Sequence, residues 1–218
     1  MILNSEAAAR EWLKLLPEWD AAAQERLELL VTLLSAENQR QNLVSAASLD
    51  SVWLRHITDS AQLLEQVPRE TSSPWLDLGT GAGFPGLVIA ALRPETRIVF
   101  VESRARRAEW LESVRSILAL DRAEVFAGRL ESLPDQKFRV ISARAFAPLP
   151  KLLDLSARFS TSDTRWLLPK GRSAAQELLE LSGWAHMFHV EQSISDAGAG
   201  VIVGTLAGKM ARKKGKKP

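Results

Sequence analysis

The sequence predicts an α/β fold, a mostly parallel seven-stranded sheet with helices on both faces, behind an N-terminal helical extension. Three observations carry this. From residue 75 onward, short apolar runs alternate with helical patterns, an order that produces parallel strands joined by crossover helices. The first run, Trp75-Leu76-Asp77-Leu78, breaks into Gly79, Gly81, Gly83 and Gly86, as a buried strand does when it feeds a tight turn and a helix. Before residue 70 the segments are rich in Ala, Leu, Glu, Gln and Arg, which are good helix formers.

In order, Ala7 to Leu16 and Ala21 to Glu37 read as two packed helices separated by Pro17, with Asp20 as an N-cap. Leu27, Leu30, Val31 and Leu34 give the second an apolar face. Trp12 and Trp19 read as core or helix-contact aromatics. Asp50 is placed to cap a third helix reaching about Leu64, on which Arg55 and Asp59 share a face beside His56 and could pair. A polar hinge, Arg69 to Pro74, leads into strand one, Trp75 to Leu78, and a helix from Gly86 to Leu92 that Pro94 closes. Pro85 suits the start of that helix because its missing N–H would be unpaired there.

Strand two is Arg97 to Glu102, followed by a long helix over 104–120 with Ala108, Leu111, Val114, Ile117 and Leu118 on one face. Ala123 to Ala127, Arg139 to Ser142 and Arg165 to Leu168 are strands three to five, with helices from about Leu149 and Ser173. His186 to Gln192 and Gly200 to Leu206 read as a closing pair joined by the turn-like stretch 195–200. The expected organisation is therefore an extension over 1–70, a ligand-binding core over 71–208 and a basic tail over 209–218.

A chain of 218 residues buries one sizeable core with an extension. Only 132 residues follow Gly86, too few for a separate substrate domain. With no cysteine and with His56, His186 and His189 lacking ligand spacing, no disulfide and no metal site is expected. No N-terminal leader pattern and no run near the roughly 18 apolar residues of a membrane span is seen, so a cytoplasmic, soluble protein is expected. The net charge of +2 is local: six basic residues lie within 209–218, and without them the balance is −4.

Two patterns compete for the glycines. Gly81-x-Gly83-x-x-Gly86 fits the dinucleotide fingerprint, which seats a pyrophosphate on a helix N-terminus. Asp77, Gly79, Gly81 and Gly83 fill acid-x-Gly-x-Gly-x-Gly, which resembles motif I of class I S-adenosylmethionine methyltransferases, a Rossmann-like fold. In that family the first strand ends in the acid and the glycines accommodate the methionine part of a cofactor without phosphate. Parallel sheets bind ligands past the carboxyl ends of their strands. Glu102, 23 residues after Gly79, stands where a carboxylate accepts both hydroxyls of a ribose. Gly128 to Glu131 could flank an adenine, and Ala143-Arg144-Ala145-Phe146-Ala147 lies past strand four.

Asn42-Leu43, Arg55-His56-Ile57-Thr58-Asp59-Ser60, the Asp77 to Gly86 stretch, Ala143 to Ala147 and Pro169-Lys170-Gly171 together resemble the bacterial 16S ribosomal RNA guanine-N7 methyltransferase family, called RsmG or GidB. The match runs from about Asn42 to Gly171 in family order and spacing. The resemblance implies a cytoplasmic enzyme that moves the methyl of S-adenosylmethionine to N7 of a guanine in a loop of small-subunit 16S ribosomal RNA; a monomer is expected. It places cofactor positions on Gly79, Phe84, Leu130, Glu131 and Arg144. Arg139 and Ala143 depart from residues common in the family and bear on the acceptor pocket.

Guanine N7 carries an in-plane lone pair and no proton, so the chemistry asks for positioning and desolvation rather than a base. Arg144 is the residue expected to position cofactor or guanine. Phe146 either stacks on a flipped base, as base-modifying enzymes arrange, or is ordinary core. Lys170 and the tail residues Arg212, Lys213 and Lys214 are candidates for RNA phosphate contact. The competing readings are a methyltransferase acting on another RNA or a small molecule, an NAD-dependent reductase, and a non-enzymatic RNA-binding adaptor.

Overall fold

A computed structural model describes residues 2–210. Ser5 caps α1 (Glu6–Leu13) by accepting the Ala8 N–H at 3.1 Å, and Asp20 caps α2 (Ala21–Gln41) by accepting that of Ala23 at 2.7 Å. Asn42 ends α2 in the left-handed conformation, φ +39°.

The third helix differs from the sequence expectation. Ser45, not Asp50, is the N-cap; its hydroxyl accepts from the Ser48 N–H, and the resulting α3 (Ala46–Leu49) is closed by Asp50. The chain then widens into a π-helical turn over Trp53–Thr58, a short α4 (Asp59–Ala61) and a 3-10 turn over Gln62–Gln66. The Glu6 carboxylate caps the π turn from α1, accepting the N–H groups of Trp53 and Leu54 at 3.1 and 2.8 Å. The expected Arg55–Asp59 pair is also replaced. Arg55 reaches Asp196 at 3.0 Å, and Asp59 pairs with Arg144 at 3.3 Å.

The core follows as β1 (Trp75–Leu78), α5 (Gly86–Leu92), β2 (Ile98–Glu102), α6 (Ala105–Ile117), β3 (Ala123–Ala127) and β4 (Val140–Ala143). Then come α7 (Leu149–Ser156), β5 (Arg165–Lys170), α8 (Ala174–Leu179), β6 (Trp184–His186), β7 (His189–Gln192), β8 (Gly200–Gly204) and β9 (Leu206–Lys209). Seven strands form one sheet in the order β3-β2-β1-β4-β5-β8-β7, with β1 to β5 parallel and β8 antiparallel to both neighbours.

The closing hairpin is split. The expected strand over 186–192 divides into β6, which pairs with β9 in a separate ribbon, and β7, which pairs with β8. Gly204, at φ +152°, approaches the Met187 backbone so closely that a Cβ would lie 2.3 Å from its carbonyl oxygen. Both chains bend there and the outer halves leave the sheet.

Because strand side chains alternate between faces, the sheet carries two cores. Trp75, Ile98, Phe100, Val140 and Leu167 pack with α5, α6 and the helices of residues 9–67. Leu76, Leu78, Val99, Ile141 and Trp166 pack with α7 and the β6–β9 ribbon. The N-terminal helices are thus part of one face of the core. A buried pair, Glu18 with Arg93 at 2.9 Å, pins them to the end of α5.

Candidate active site

The turn after β1 is held open by its glycines and tied down by two acids. Gly79, Gly81 and Gly83 have φ values of +65°, +59° and +111°, a region that side chains with a Cβ avoid. A Cβ on Gly79 would lie 2.7 Å from Phe146 Cδ2, and one on Gly83 2.3 Å from Leu87 Cδ1.

Beneath the turn, Asp77 is wholly buried. Its Oδ1 accepts from Ser142 Oγ at 2.6 Å and its Oδ2 from the Gly86 N–H at 3.2 Å, while Trp75 Nε1 donates to Ser142 Oγ at 2.8 Å. The parallel register sets Asp77 directly beside Ser142. Burial pushes the Asp77 carboxyl up to about 6, against the lowering effect of its hydrogen bonds from Ser142, Thr80 and Gly86.

At the tip of β2, Glu102 is 6% exposed; its Oε2 accepts from the Gly81 N–H at 3.0 Å and its Oε1 from the Arg104 N–H at 2.8 Å. Trp110 Nε1 completes the fastening by donating to the Ala82 carbonyl at 3.0 Å.

Above the turn lies a cleft of about 320 Å³ lined by Gly79, Glu102, Gly128, Leu130 and Glu131. Its features fit a nucleoside. Bare backbone and a strand-end carboxylate face it, and it lies past the ends of β1 and β4, the paired neighbours at the switch point of the sheet. The Gly86 N–H already serves the Asp77 carboxylate, and a Cβ on Gly86 would meet Asp77 and the Phe100 ring at 2.7 Å. Gly86 is therefore a packing glycine.

A second cavity, of about 870 Å³, opens past β4 and β5, beside the start of β8, and is lined by Arg55, His56, Arg144, Lys170, Glu177 and Asp196 among others. Ala145, Phe146 and Ala147 line both spaces. Ala145 has φ +54°, a left-handed turn that parts Arg144 from Phe146. Phe146, half-buried, sits over Gly79 at the boundary.

Arg144 is built into the wall of the second cavity. One guanidinium nitrogen lies 3.3 Å from Asp59 Oδ2 and donates to the Arg55 carbonyl at 3.5 Å; the other meets His56 Nδ1 at 3.1 Å. A guanidinium only donates, so His56 Nδ1 is the acceptor and Nε2 carries the proton, donated to Ser48 Oγ at 3.0 Å. Burial, then the charges of Arg144 and Arg55, lower His56 to about 3, which leaves it neutral. Its ring stacks on Phe84 at 4.7 Å, and Arg144 lies over that same ring at 5.1 Å.

The wall opposite is closed by the loop before β8. Asp59 Oδ1 accepts from Ser195 Oγ at 2.7 Å and from Gln62 Nε2 at 3.0 Å. Gln62 Oε1 accepts the Ile194 N–H at 3.0 Å, and the Leu3 N–H donates to the Ile194 carbonyl at 2.8 Å.

Of the residues singled out in the sequence, Gly79, Glu102, Leu130 and Glu131 line the smaller cleft, while Asp77, Gly81 and Gly83 shape it from beneath. Phe84 is 2% exposed, its ring packed against His56 and Arg144. Arg144 opens on the larger cavity. Lys170 lines that cavity too, with its ammonium on Glu177 at 2.8 Å and the Ala147 carbonyl at 3.3 Å. Arg212, Lys213 and Lys214 lie outside the described residues. Arg55, His56 and Asp59 stand out in the sequence without a role, and Ser142 and Ser195 do not stand out in it. A lone serine in the apolar run of β4, opposite an acid in β1, was the available signal for Ser142.

The sequence profile of GidB, described as rRNA small subunit methyltransferase G, matches residues 23–199. The chain belongs to the GidB family. Among curated GidB relatives, the ribosomal RNA small subunit methyltransferase G of Novosphingobium aromaticivorans is 55% identical over 213 residues, 96% of this chain and 92% of its own. That of Erythrobacter litoralis is 59% identical over 186 residues, 85% and 89% of the two chains. The GidB fold also resembles the crystal structure of cofactor-bound Rv0187 from MTB, with a TM-score of 0.65 at 16% identity over 96% of this chain and all of that one. A crystal structure of a mutant of MtNAS in complex with S-adenosylmethionine gives 0.56 at 16% identity, over 93% and 84%. The Rossmann-like methyltransferase fold is thereby established. Among the described residues of this GidB chain, no helix is long and apolar enough to cross a membrane, and no cluster of three metal-ligating side chains occurs.

Proposed function

We propose that the chain transfers the methyl group of S-adenosylmethionine to N7 of a guanine in 16S ribosomal RNA of the small subunit, as a cytoplasmic monomer without a metal. The observation that carries this is the pair of cavities meeting at Ala145, Phe146 and Ala147: one suits a nucleoside cofactor and the other has room for an extruded base.

In the smaller cleft, Glu102 receives the ribose hydroxyls, Leu130 and Glu131 flank the adenine, and the backbone of Gly79 and Gly81 lies against the amino-acid part. When bound, the cofactor supplies an electrophilic methyl group on a sulfonium. The protein's own part is alignment. Phe146, at the boundary, presents a face on which a purine can stack, and Arg144 offers N–H donors from the wall of the larger cavity. Guanine N7 has no proton to remove, so the transfer asks for no base, and both ring nitrogens of His56 are engaged within the wall. Lys170, already paired with Glu177, contributes shape at the cavity floor, and the tail residues Arg212, Lys213 and Lys214 supply phosphate contacts.

Incubation with labelled cofactor and small subunits from cells lacking the enzyme, followed by mapping of N7-methylguanine, tests the activity. Label in N7-methylguanine of 16S RNA is expected; label elsewhere, or none, refutes the reading. Arg144→Ala is expected to lower kcat by about a hundredfold, the scale of a misplaced reactant, with the cofactor Kd within about threefold by calorimetry. Truncation after Met210 is expected to weaken RNA binding and flatten its dependence on salt, since phosphate contacts act through counterion release. An unchanged slope would remove the tail from the interface.

A further inference from the structure

We propose that His56 and Asp59 are positioning residues for methyl transfer: together they fix the Arg144 guanidinium at the cavity wall and cancel its charge where the acceptor purine becomes a cation. The inference rests on the function proposed above and assigns a role to the Arg55-His56-x-x-Asp59 stretch.

Three observations support it. First, Arg144 is held by two groups of complementary kind. Asp59 Oδ2, at 3.3 Å, brings a negative charge, and His56 Nδ1, at 3.1 Å, brings a neutral acceptor. Second, each holder is itself braced. His56 is stacked on Phe84 of the glycine turn and donates to Ser48, and Asp59 receives Ser195 and Gln62. Neither can swing away without breaking several contacts. Third, the elements joined here are those that flank the two cavities: the N-terminal extension, the glycine turn, the end of β4 and the loop before β8.

The electrostatics follow from the reaction. The N7 lone pair forms the new nitrogen–carbon bond as the sulfur–carbon pair returns to sulfur, so one positive charge passes from sulfur to the purine. A bare guanidinium beside that purine would oppose the transfer, because like charges at a few ångströms in a partly buried site repel strongly. Asp59 neutralises the guanidinium while leaving its N–H donors in place, and His56 adds an acceptor without adding charge. The same arrangement sets the ring tautomer, with a proton on Nε2 and none on Nδ1.

The test uses the full-length enzyme with small subunits as substrate and compares wild type with Asp59→Asn, Asp59→Glu and His56→Phe. His56→Phe keeps a ring against Phe84 and removes the acceptor to Arg144 together with the donor to Ser48. Expected are kcat values reduced tenfold or more in Asp59→Asn and His56→Phe, with the cofactor Kd and the melting temperature close to wild type, and partial recovery in Asp59→Glu. Histidine-ring ¹⁵N spectra should show Nε2 protonated and Nδ1 bare in the wild type, and a mixture of tautomers in Arg144→Met. A kcat within twofold of wild type in either variant overturns the proposal. So does a loss of activity that tracks cofactor affinity or melting temperature, with Asp59→Glu no better than Asp59→Asn, since that is scaffolding alone. If the wild type transfers no methyl group, the proposed function fails, and the tautomer spectra still report whether the Arg144 clamp exists.

Discussion

Asp77→Asn will loosen the glycine turn and cost about 3 kcal/mol of stability, since a buried hydrogen-bonding group left unmatched costs roughly 1–3 kcal/mol and bonds to a charged group are the stronger kind. Both oxygens of the carboxylate accept, one from Ser142 Oγ and one from the Gly86 N–H. An asparagine has one oxygen and one amide nitrogen, so it cannot accept from both Ser142 and Gly86 inside a wholly buried site. For a chain of this length that is a fall in Tm of about 6–12 °C, and cofactor affinity falls with it because Gly86 and the turn lose their common anchor.

The pH dependence adds a check. Burial holds the Asp77 carboxyl at about 6 in the folded protein, above its ordinary 3.8. An acid raised on folding binds its proton more tightly when folded, so its contribution to stability is greatest in acid and is lost as pH rises through about 6. The stability gap between wild type and Asp77→Asn, from denaturant titrations, should therefore widen as pH falls from 6 towards 4. A constant gap would show that Asp77 is ionised throughout.

Glu102→Ala should weaken the cofactor Kd by at least about a hundredfold in calorimetry. Two effects combine. The carboxylate anchors the Gly81 and Arg104 N–H groups at 3.0 and 2.8 Å, so its removal frees the edge of the cradle. It is also the acceptor proposed for the ribose, and each bond to a charged group is worth about 1.5–3 kcal/mol, against 1.4 kcal/mol for each factor of ten in Kd. Glu102→Gln should fall between, because the carboxamide supplies one acceptor of the two. An affinity within fivefold of wild type in Glu102→Ala would move the sugar elsewhere.

The sequence was most legible where structure is local. Trp75 to Gly86 could be read as strand, turn and helix because alternation and glycine spacing act over a dozen residues, and Glu102 followed from the fixed geometry of adjacent parallel strands. Where partners come from far along the chain, local reading failed. Arg55 and Asp59 stand four apart, as a helical ion pair would, yet their partners Asp196 and Arg144 are 141 and 85 residues away. The π turn at Trp53 depends on a carboxylate 47 residues earlier. The break between β6 and β7 depends on the backbone of Gly204 pressing on Met187, which apolar patterning does not report. Lys170 looked like a free cation until the fold brought Glu177 to it.

The way the segment at 193–196 is held has a consequence for biosynthesis. Its partners, Leu3, Arg55, Asp59 and Gln62, emerge from the ribosome among the first third of the polypeptide, whereas the segment itself emerges near the end. A nascent chain can complete the glycine turn and its acids early, but the larger cavity, the pocket proposed for the base, stays roofless until translation is nearly over, because contacts so distant along the chain close last. Newly made enzyme would thus acquire its grip on the cofactor before its grip on RNA.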